Sequence, residues 1–192
     1  VPLRPSIIWA DMRASKEEEY LKNKIDPMKF YKTVGHKISS SYSLEKLMWI
    51  KNNEPDVYKK THKMLNAKDY IIFKMTGKFV TDYSDASGTN VFDINKFEWS
   101  DEILDAVGMD KSILPKAVES THVAGEISAK IADECGLAVG TKVVMGGGDG
   151  MCASVGAGSV SEGITYNCLG SSSWIATTTK KPIFDDEMRT FN

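Results

Sequence analysis

Val143-Val144-Met145-Gly146-Gly147-Gly148-Asp149-Gly150 is the stretch whose reading decides the fold. The apolar, β-branched run predicts a short strand over 142–145. The glycines predict a tight turn at its end, and a helix of small residues is expected over 151–157. The strand thus delivers a carboxylate to its C-terminal end, where ligands of open α/β sheets bind. Glycines let a substrate or phosphate come close to the backbone. A carboxylate placed there could take a proton from a hydroxyl nucleophile. Asp149 has a second reading, as the cap of a helix starting at Gly150. Three consecutive glycines favour a site, because a plain cap does not need them.

Downstream, strands are expected over 162–168 and 173–178, joined by Leu169-Gly170-Ser171-Ser172. Backbone N–H groups and hydroxyls in such a turn can cradle phosphate oxygens, which makes Gly170, Ser171 and Ser172 candidate phosphate binders. The plainer reading is a hairpin of small residues. No Lys stands at the spacing of a Walker loop.

Upstream, Ser128 and Ser100 are expected to cap helices closed by Gly136 and Gly108. Residues 78–98 are rich in turn formers, among them Asp82, Ser84, Asp85 and Gly88, with short strands expected at 79–80 and 90–92. Asp85 reads there as a turn former. Helices are expected over 43–52, 56–64 and 69–75, and a short one between Pro27 and Gly35. Ser15 and Glu18 have the spacing of a capping box opening a helix through 23. Ser6-Ile7-Ile8-Trp9-Ala10 reads as a buried strand. Helices alternating with strands make the class α/β with a mixed sheet.

With 192 residues, the chain is one domain or at most two small ones. A net charge of −2, with acids and bases interspersed, leaves no basic track for nucleic acid. Cys135, Cys152 and Cys168 form no disulfide framework and suit a reducing, cytoplasmic setting. His36, His62 and His122 lie far apart, and no metal-ligand set is assigned within the chain. No run of about 18 apolar residues exists to span a membrane. The first residue is Val1, not Met, and an apolar run follows almost at once. That start is expected of the interior of a longer protein.

One segment carries a specific resemblance. Ser41-Tyr42-Ser43-Leu44-Glu45-Lys46-Leu47-Met48-Trp49-Ile50-Lys51-Asn52-Asn53 resembles the first signature of the FGGY carbohydrate kinases at each of its fixed points. Trp9-Ala10-Asp11-Met12-Arg13 is similar to the family's W-x-D-x-R stretch. Tyr83-Ser84-Asp85-Ala86-Ser87-Gly88-Thr89 is similar to a run in xylulose kinases. Leu114-Pro115, Gly125-Glu126, Gly136-Leu137, Gly140 and the Gly-Gly-Gly-Asp turn resemble the approach to the family's catalytic Asp.

The resemblance implies an actin-like, ribonuclease-H-like domain with helical insertions. It implies ATP- and Mg²⁺-dependent phosphorylation of a sugar or polyol, with Asp149 as general base. It places Gly170, Ser171 and Ser172 on a phosphate loop. Trp9, Asp11, Gly150 and Trp174 fall on or beside the sugar pocket, although both Trp could be core residues instead. Lys46 and Trp49 share one helix face, and Trp49 is expected to pack there. Residues 1–192 would then be part of a sugar-binding N-terminal domain. The family's first phosphate loop, D-x-G-T-x-x-x-R, and its adenosine-binding domain are not in the chain. The chain alone is therefore expected to be inactive, and a second copy is a candidate partner of the longer parent.

Two departures bear on the substrate. Xylulose kinases usually carry Asn after the catalytic Asp and glycerol kinases Gln, where this chain has Gly150. Ser41 stands where glycerol kinases carry a substrate-facing Tyr, which disfavours glycerol. A ketopentose such as D-xylulose is the first expectation, and an uncommon pentulose or polyol the second. The competing class is a non-catalytic, actin-like sugar-binding or regulatory module. A dinucleotide binder is excluded, since no G-x-G-x-x-G follows the first strand.

Overall fold

The computed structural model describes residues 1–170 and 173–192. Five helices come first: α1 (Ser15–Lys24), α2 (Pro27–Val34), α3 (Ser43–Asn53), α4 (Pro55–Lys60) and α5 (Ala67–Thr76). Strand β1 (Val80–Asp82) runs straight into a short helix, α6 (Tyr83–Ser87). The strands β2 (Phe92–Asp93) and β3 (Glu98–Trp99) follow, then α7 (Asp101–Val107) and a single 3₁₀ turn. The last part runs β4 (Lys116–Val118), β5 (Val123–Glu126), α8 (Ala129–Cys135), β6 (Lys142–Val144), α9 (Asp149–Gly156), β7 (Thr165–Leu169) and β8 (Ser173–Thr177).

Among the described residues the strands pair two by two. β1 pairs with β4 in parallel, while β2–β3, β5–β6 and β7–β8 are antiparallel. The expected α/β class with both kinds of pairing is thus present, spread over four short ladders. Helix ends follow the expected punctuation. Ser100 and Ser128 accept from the amides of Ile103 and Ile131, and Gly108 and Gly136 close α7 and α8 in the left-handed conformation. Each such cap contributes about 1 kcal/mol.

Two apolar cores lie on either side of β1 and β4. The larger gathers Leu21, Phe30, Leu44, Phe92, Ile103 and Leu104 from the helical side. The smaller joins Ile72 of α5 to Val80, Val118, Ala124, Val143 and Met145. Full burial of a side chain such as Leu44 or Leu104 stabilises by about 1.5–3 kcal/mol. The strand carrying the glycine turn therefore rests on the smaller core, with Met145 fully buried at its end.

Three local expectations are corrected. Residues 6–10 form no strand; Ile8 is 62 % exposed and Trp9 82 %. A strand needs a ladder partner, and the carbonyls of Ile8 and Trp9 face the Lys46 ammonium instead. The Ser15–Glu18 capping box does not form, because Ala14 is the cap residue and the Glu18 carboxylate accepts from the Ser40 amide. Helix α4 stops at Lys60 rather than 64, since the chain turns away so that the Met64 amide can bond Ile113. No described helix is long and apolar enough to cross a membrane.

Candidate active site

Asp149 is the first residue of α9, exposed, at the end of the β6 turn. The cap position belongs to Gly148, whose lack of a side chain leaves the helix start without a side-chain cap. Asp149 is thus not the cap residue itself, although its carboxylate bonds the first turn of α9. Its Oδ1 accepts the neighbouring Gly150 amide at 2.8 Å.

Each glycine before it has its own physical reason. Gly146 has φ of 67°, a conformation that costs a residue with a Cβ about 1–2 kcal/mol. Gly147 and Gly148 lie under the β1–α6 junction. A methyl on Gly147 would stand 3.2 Å from Ser84 Oγ, and one on Gly148 3.2 Å from Asp85 Oδ1.

That junction is a charged network which the sequence reading missed. The Lys68 ammonium, near the start of α5, stands 3.0 Å from Asp69, 3.0 Å from Asp82 and 3.2 Å from Asp85. Asp82 is fully buried, and Asp69 is 1 % exposed. The contact to Asp82 Oδ1 is an ion pair rather than a directed hydrogen bond. Burial works against the Lys68 charge, but the contacts to Asp69 and Asp82 outweigh it and hold the ammonium above its ordinary range. Burial also lifts the Asp85 and Asp69 carboxyls above the usual value, opposed by Lys68. Buried carboxylates need such partners, since an unpaired charge there is strongly destabilising.

The turn former in this stretch is Asp82, which accepts the Ser84 amide at 2.9 Å, and not Asp85. Asp85 instead faces the cleft. The cleft measures about 340 Å³, and its walls include Asn66, Lys68, Asp85, Gly147, Gly148 and Asp149. Lysine beside aspartate at a helix start, then Asp-x-Ser-Asp after a strand, was the available signal; the second part read as turn chemistry and as a family resemblance, and the first was not joined to it.

Of the other candidates, neither Trp174 nor Trp9 lines the cleft, but Trp174 comes to Gly150, the neighbour of Asp149. The Trp174 indole lies on the start of α9, so that a methyl on Gly150 would be 2.8 Å from its Cη2. Tyr166 meets the indole edge-on and reaches the Gly150 carbonyl at 3.4 Å, tying β7 to α9. Gly170 is exposed at the end of β7, and Ser171 and Ser172 lie outside the described residues.

Trp9 and Asp11 belong to a second arrangement. Lys46 Nζ donates to the carbonyls of Ile8 (2.8 Å) and Ser41 (2.6 Å), and more loosely to Trp9 at 3.4 Å. One turn on, the Trp49 ring lies 4.9 Å below the Arg13 guanidinium. Arg13 grips Asp11 with two nitrogens, at 2.7 and 3.0 Å, and this hydrogen bonding holds the Asp11 carboxyl at about 2. Helix α3 thus clamps the loop that displays Trp9. With Trp9 82 % exposed, it is not a core residue.

No group of three His, Cys, Asp or Glu side chains able to hold a metal occurs among the described residues. Magnesium in kinase sites needs less from protein, about one or two carboxylates beside substrate phosphates.

Comparison with known proteins matches residues 1–156 to the N-terminal domain of the FGGY family of carbohydrate kinases. The xylulose kinase of Staphylococcus xylosus is 34 % identical over 171 residues, covering 89 % of this chain and 35 % of that protein. A ligand-bound xylulose kinase from Lactobacillus acidophilus superposes with a TM-score of 0.91 at 30 % identity, over 98 % of this chain and 39 % of that one. A gluconate kinase from the same organism reaches the same 0.91 and 30 %, over 98 % and 38 %. The chain spans between a third and two-fifths of the length of these proteins.

Proposed function

This chain belongs to the FGGY family of carbohydrate kinases, and we propose from that membership that it serves the ATP-dependent phosphorylation of a sugar or polyol hydroxyl, with Asp149 as general base. The observation that carries the reading is an exposed carboxylate at the wall of a cleft, with the cap position of α9 held by Gly148. A hydroxyl placed within hydrogen-bond reach of Asp149 would give up its proton to the carboxylate as its oxygen attacks the terminal phosphorus of ATP and the bond to the bridging oxygen breaks, releasing ADP.

A ketopentose such as D-xylulose is the proposed substrate, supported by similarity to xylulose kinases. Gluconate kinase is the second reading, since its structure matches as well. We assign Trp174 and Gly150 to the sugar side of the base. Trp9 and Asp11, on a clamped loop that does not line the cleft itself, are assigned to the sugar as well. Gly170, Ser171 and Ser172 are assigned to phosphate. When bound, Mg²⁺ would neutralise charge on the transferred group; no residue of this chain is assigned to hold it, Asp149 being kept for the proton. Residues 1–192 are assigned to the sugar-binding N-terminal domain, and the reaction to the cytoplasm.

Replacing Asp149 by Asn in the full-length gene product tests the base. The amide keeps the shape but cannot take the proton. Turnover is expected to fall by about 10²–10⁴ with sugar affinity broadly kept. Near-normal kcat would remove Asp149 from this role. A non-catalytic sugar-binding module would show no turnover even before the substitution.

A further inference from the structure

We propose that Ser84 is a positioning residue for Asp149, holding the Gly147–Asp149 turn by accepting the Gly148 N–H while its own proton is committed to buried Asp82. The proposal rests on the reading of Asp149 as base.

The direction of each hydrogen bond follows from chemistry. Ser84 Oγ lies 2.5 Å from Asp82 Oδ2 and 2.8 Å from the Gly148 nitrogen. A hydroxyl has one proton and spare lone pairs. Burial works against the Asp82 charge, but the bonds from Ser84 and Lys68 outweigh it and hold the carboxyl below its usual range. An ionised Asp82 can only accept. Ser84 must therefore donate to Asp82, which leaves its lone pair aimed at the Gly148 amide.

Asp82 is itself held from three sides. The Ser84 amide donates to it at 2.9 Å, the Ser120 hydroxyl at 3.0 Å, and the Lys68 ammonium stands 3.0 Å away. Ser120 also receives the Gly146 amide on its carbonyl at 3.0 Å. The turn is thus pinned at Gly146 by backbone and at Gly148 by a side chain. Gly148 is the last residue before Asp149, so the Ser84 bond controls where the helix, and with it the carboxylate, begins. A misplacement of about 1 Å in a reacting group costs about 10²-fold in rate.

The test uses the full-length gene product with D-xylulose and ATP. Ser84→Ala is expected to lower kcat by about 10–100-fold, with both KM values within about threefold. Ser84→Thr keeps the hydroxyl and should recover most of that loss. Hydrogen exchange gives a readout independent of catalysis: the Gly148 amide should become much less protected in Ser84→Ala, while the Gly146 amide changes little. Should Ser84→Ala not fold, the unaltered protein still decides. Its Gly148 amide must exchange at least about 10-fold slower than an open glycine amide. Free exchange there, or unchanged kcat in Ser84→Ala, overturns the proposal. If Asp149→Asn abolishes turnover and Ser84→Ala leaves it intact, only the positioning role fails. If Asp149→Asn keeps full turnover, the base reading fails first.

Discussion

Gly150 shows how one absent side chain can be explained by another that is present. The Asn that xylulose kinases usually carry at this position would offer the substrate a hydrogen bond. Here the space is filled, since a Cβ on Gly150 would lie 2.8 Å from the Trp174 ring. The indole, 45 % exposed and met edge-on by Tyr166, is the group that must give way. Gly150→Asn is therefore expected to displace Trp174. The expected outcome is a sugar KM raised several-fold, roughly 1 kcal/mol of lost binding, and a changed near-ultraviolet circular dichroism. An unaltered KM with an unaltered aromatic signal would mean that the ring and the side chain can coexist. The sequence showed Gly150 as a missing hydrogen bond. It could not show the indole, because Trp174 lies 24 residues away along the chain and meets Gly150 only through β7 and β8.

Helix α3 explains why its signature residues recur together. Lys46 and Trp49 are three apart and so share one face. The first collects three backbone carbonyls and the second stacks under Arg13. Both act on the segment that holds Trp9. Lys46→Met keeps the length and apolar stem but loses the donors. It is expected to cost about 1–3 kcal/mol of stability, with faster amide exchange confined to residues around 8–13. Sugar KM should rise more than ATP KM if the Trp9 loop touches the sugar. Uniform exchange along the chain, with no local change, would argue against a clamp. The packing role of Trp49 was legible in the sequence from spacing; its partner was not, because cation–ring contacts depend on where a loop passes.

At the scale of the whole molecule, away from the Lys68 network, His36 and Glu45 are titratable groups that burial gives opposite pH dependence. Burial pushes His36 from 6.5 down to about 4, with Nδ1 bonded to the Tyr42 hydroxyl. Burial pushes Glu45 from 4.5 up to about 7, though Asn90 and Ser39 donate to it. Between pH 6.5 and 4 the unfolded chain binds more protons at His36, so that contribution is lost as pH falls. Between pH 4.5 and 7 the folded chain binds more protons at Glu45, so that contribution is lost as pH rises. The two oppose each other across their overlap. Glu45→Gln should remove one and leave the other, so that stability climbs with pH by up to about 1.4 kcal/mol per unit between pH 4.5 and 6.5. Urea titrations of both forms across that window measure it. Equal slopes would mean that Glu45 is not protonated in the fold. The same whole-molecule view bears on activity. The chain holds no D-x-G-T-x-x-x-R loop, and phosphoryl transfer depends on positioned charges around the nucleotide. The isolated chain is expected to release no ADP with xylulose, ribulose, glycerol or erythritol. Sugar-dependent release abolished by Asp149→Asn would overturn that expectation.

What the sequence by itself determined was local. Helix ends at Ser100, Gly108, Ser128 and Gly136 follow from side chains that reach only their own turn. The strand–glycine–Asp unit around Asp149 is equally local, and so is the face shared by Lys46 and Trp49. The family was legible for the same reason, being written in contiguous motifs. Tertiary structure alone decided the rest. Residues 6–10 have the composition of a strand, but a ladder needs a partner at the right edge, and Lys46 took their carbonyls. Lys68, Asp82, Ser84 and Ser120 are spread over 53 residue numbers and acquire a joint role only when β1 and β4 pair. Charges of opposite sign attract over ångströms of space, not over positions in a chain, and so the network beneath the glycine turn appears only once the chain is folded.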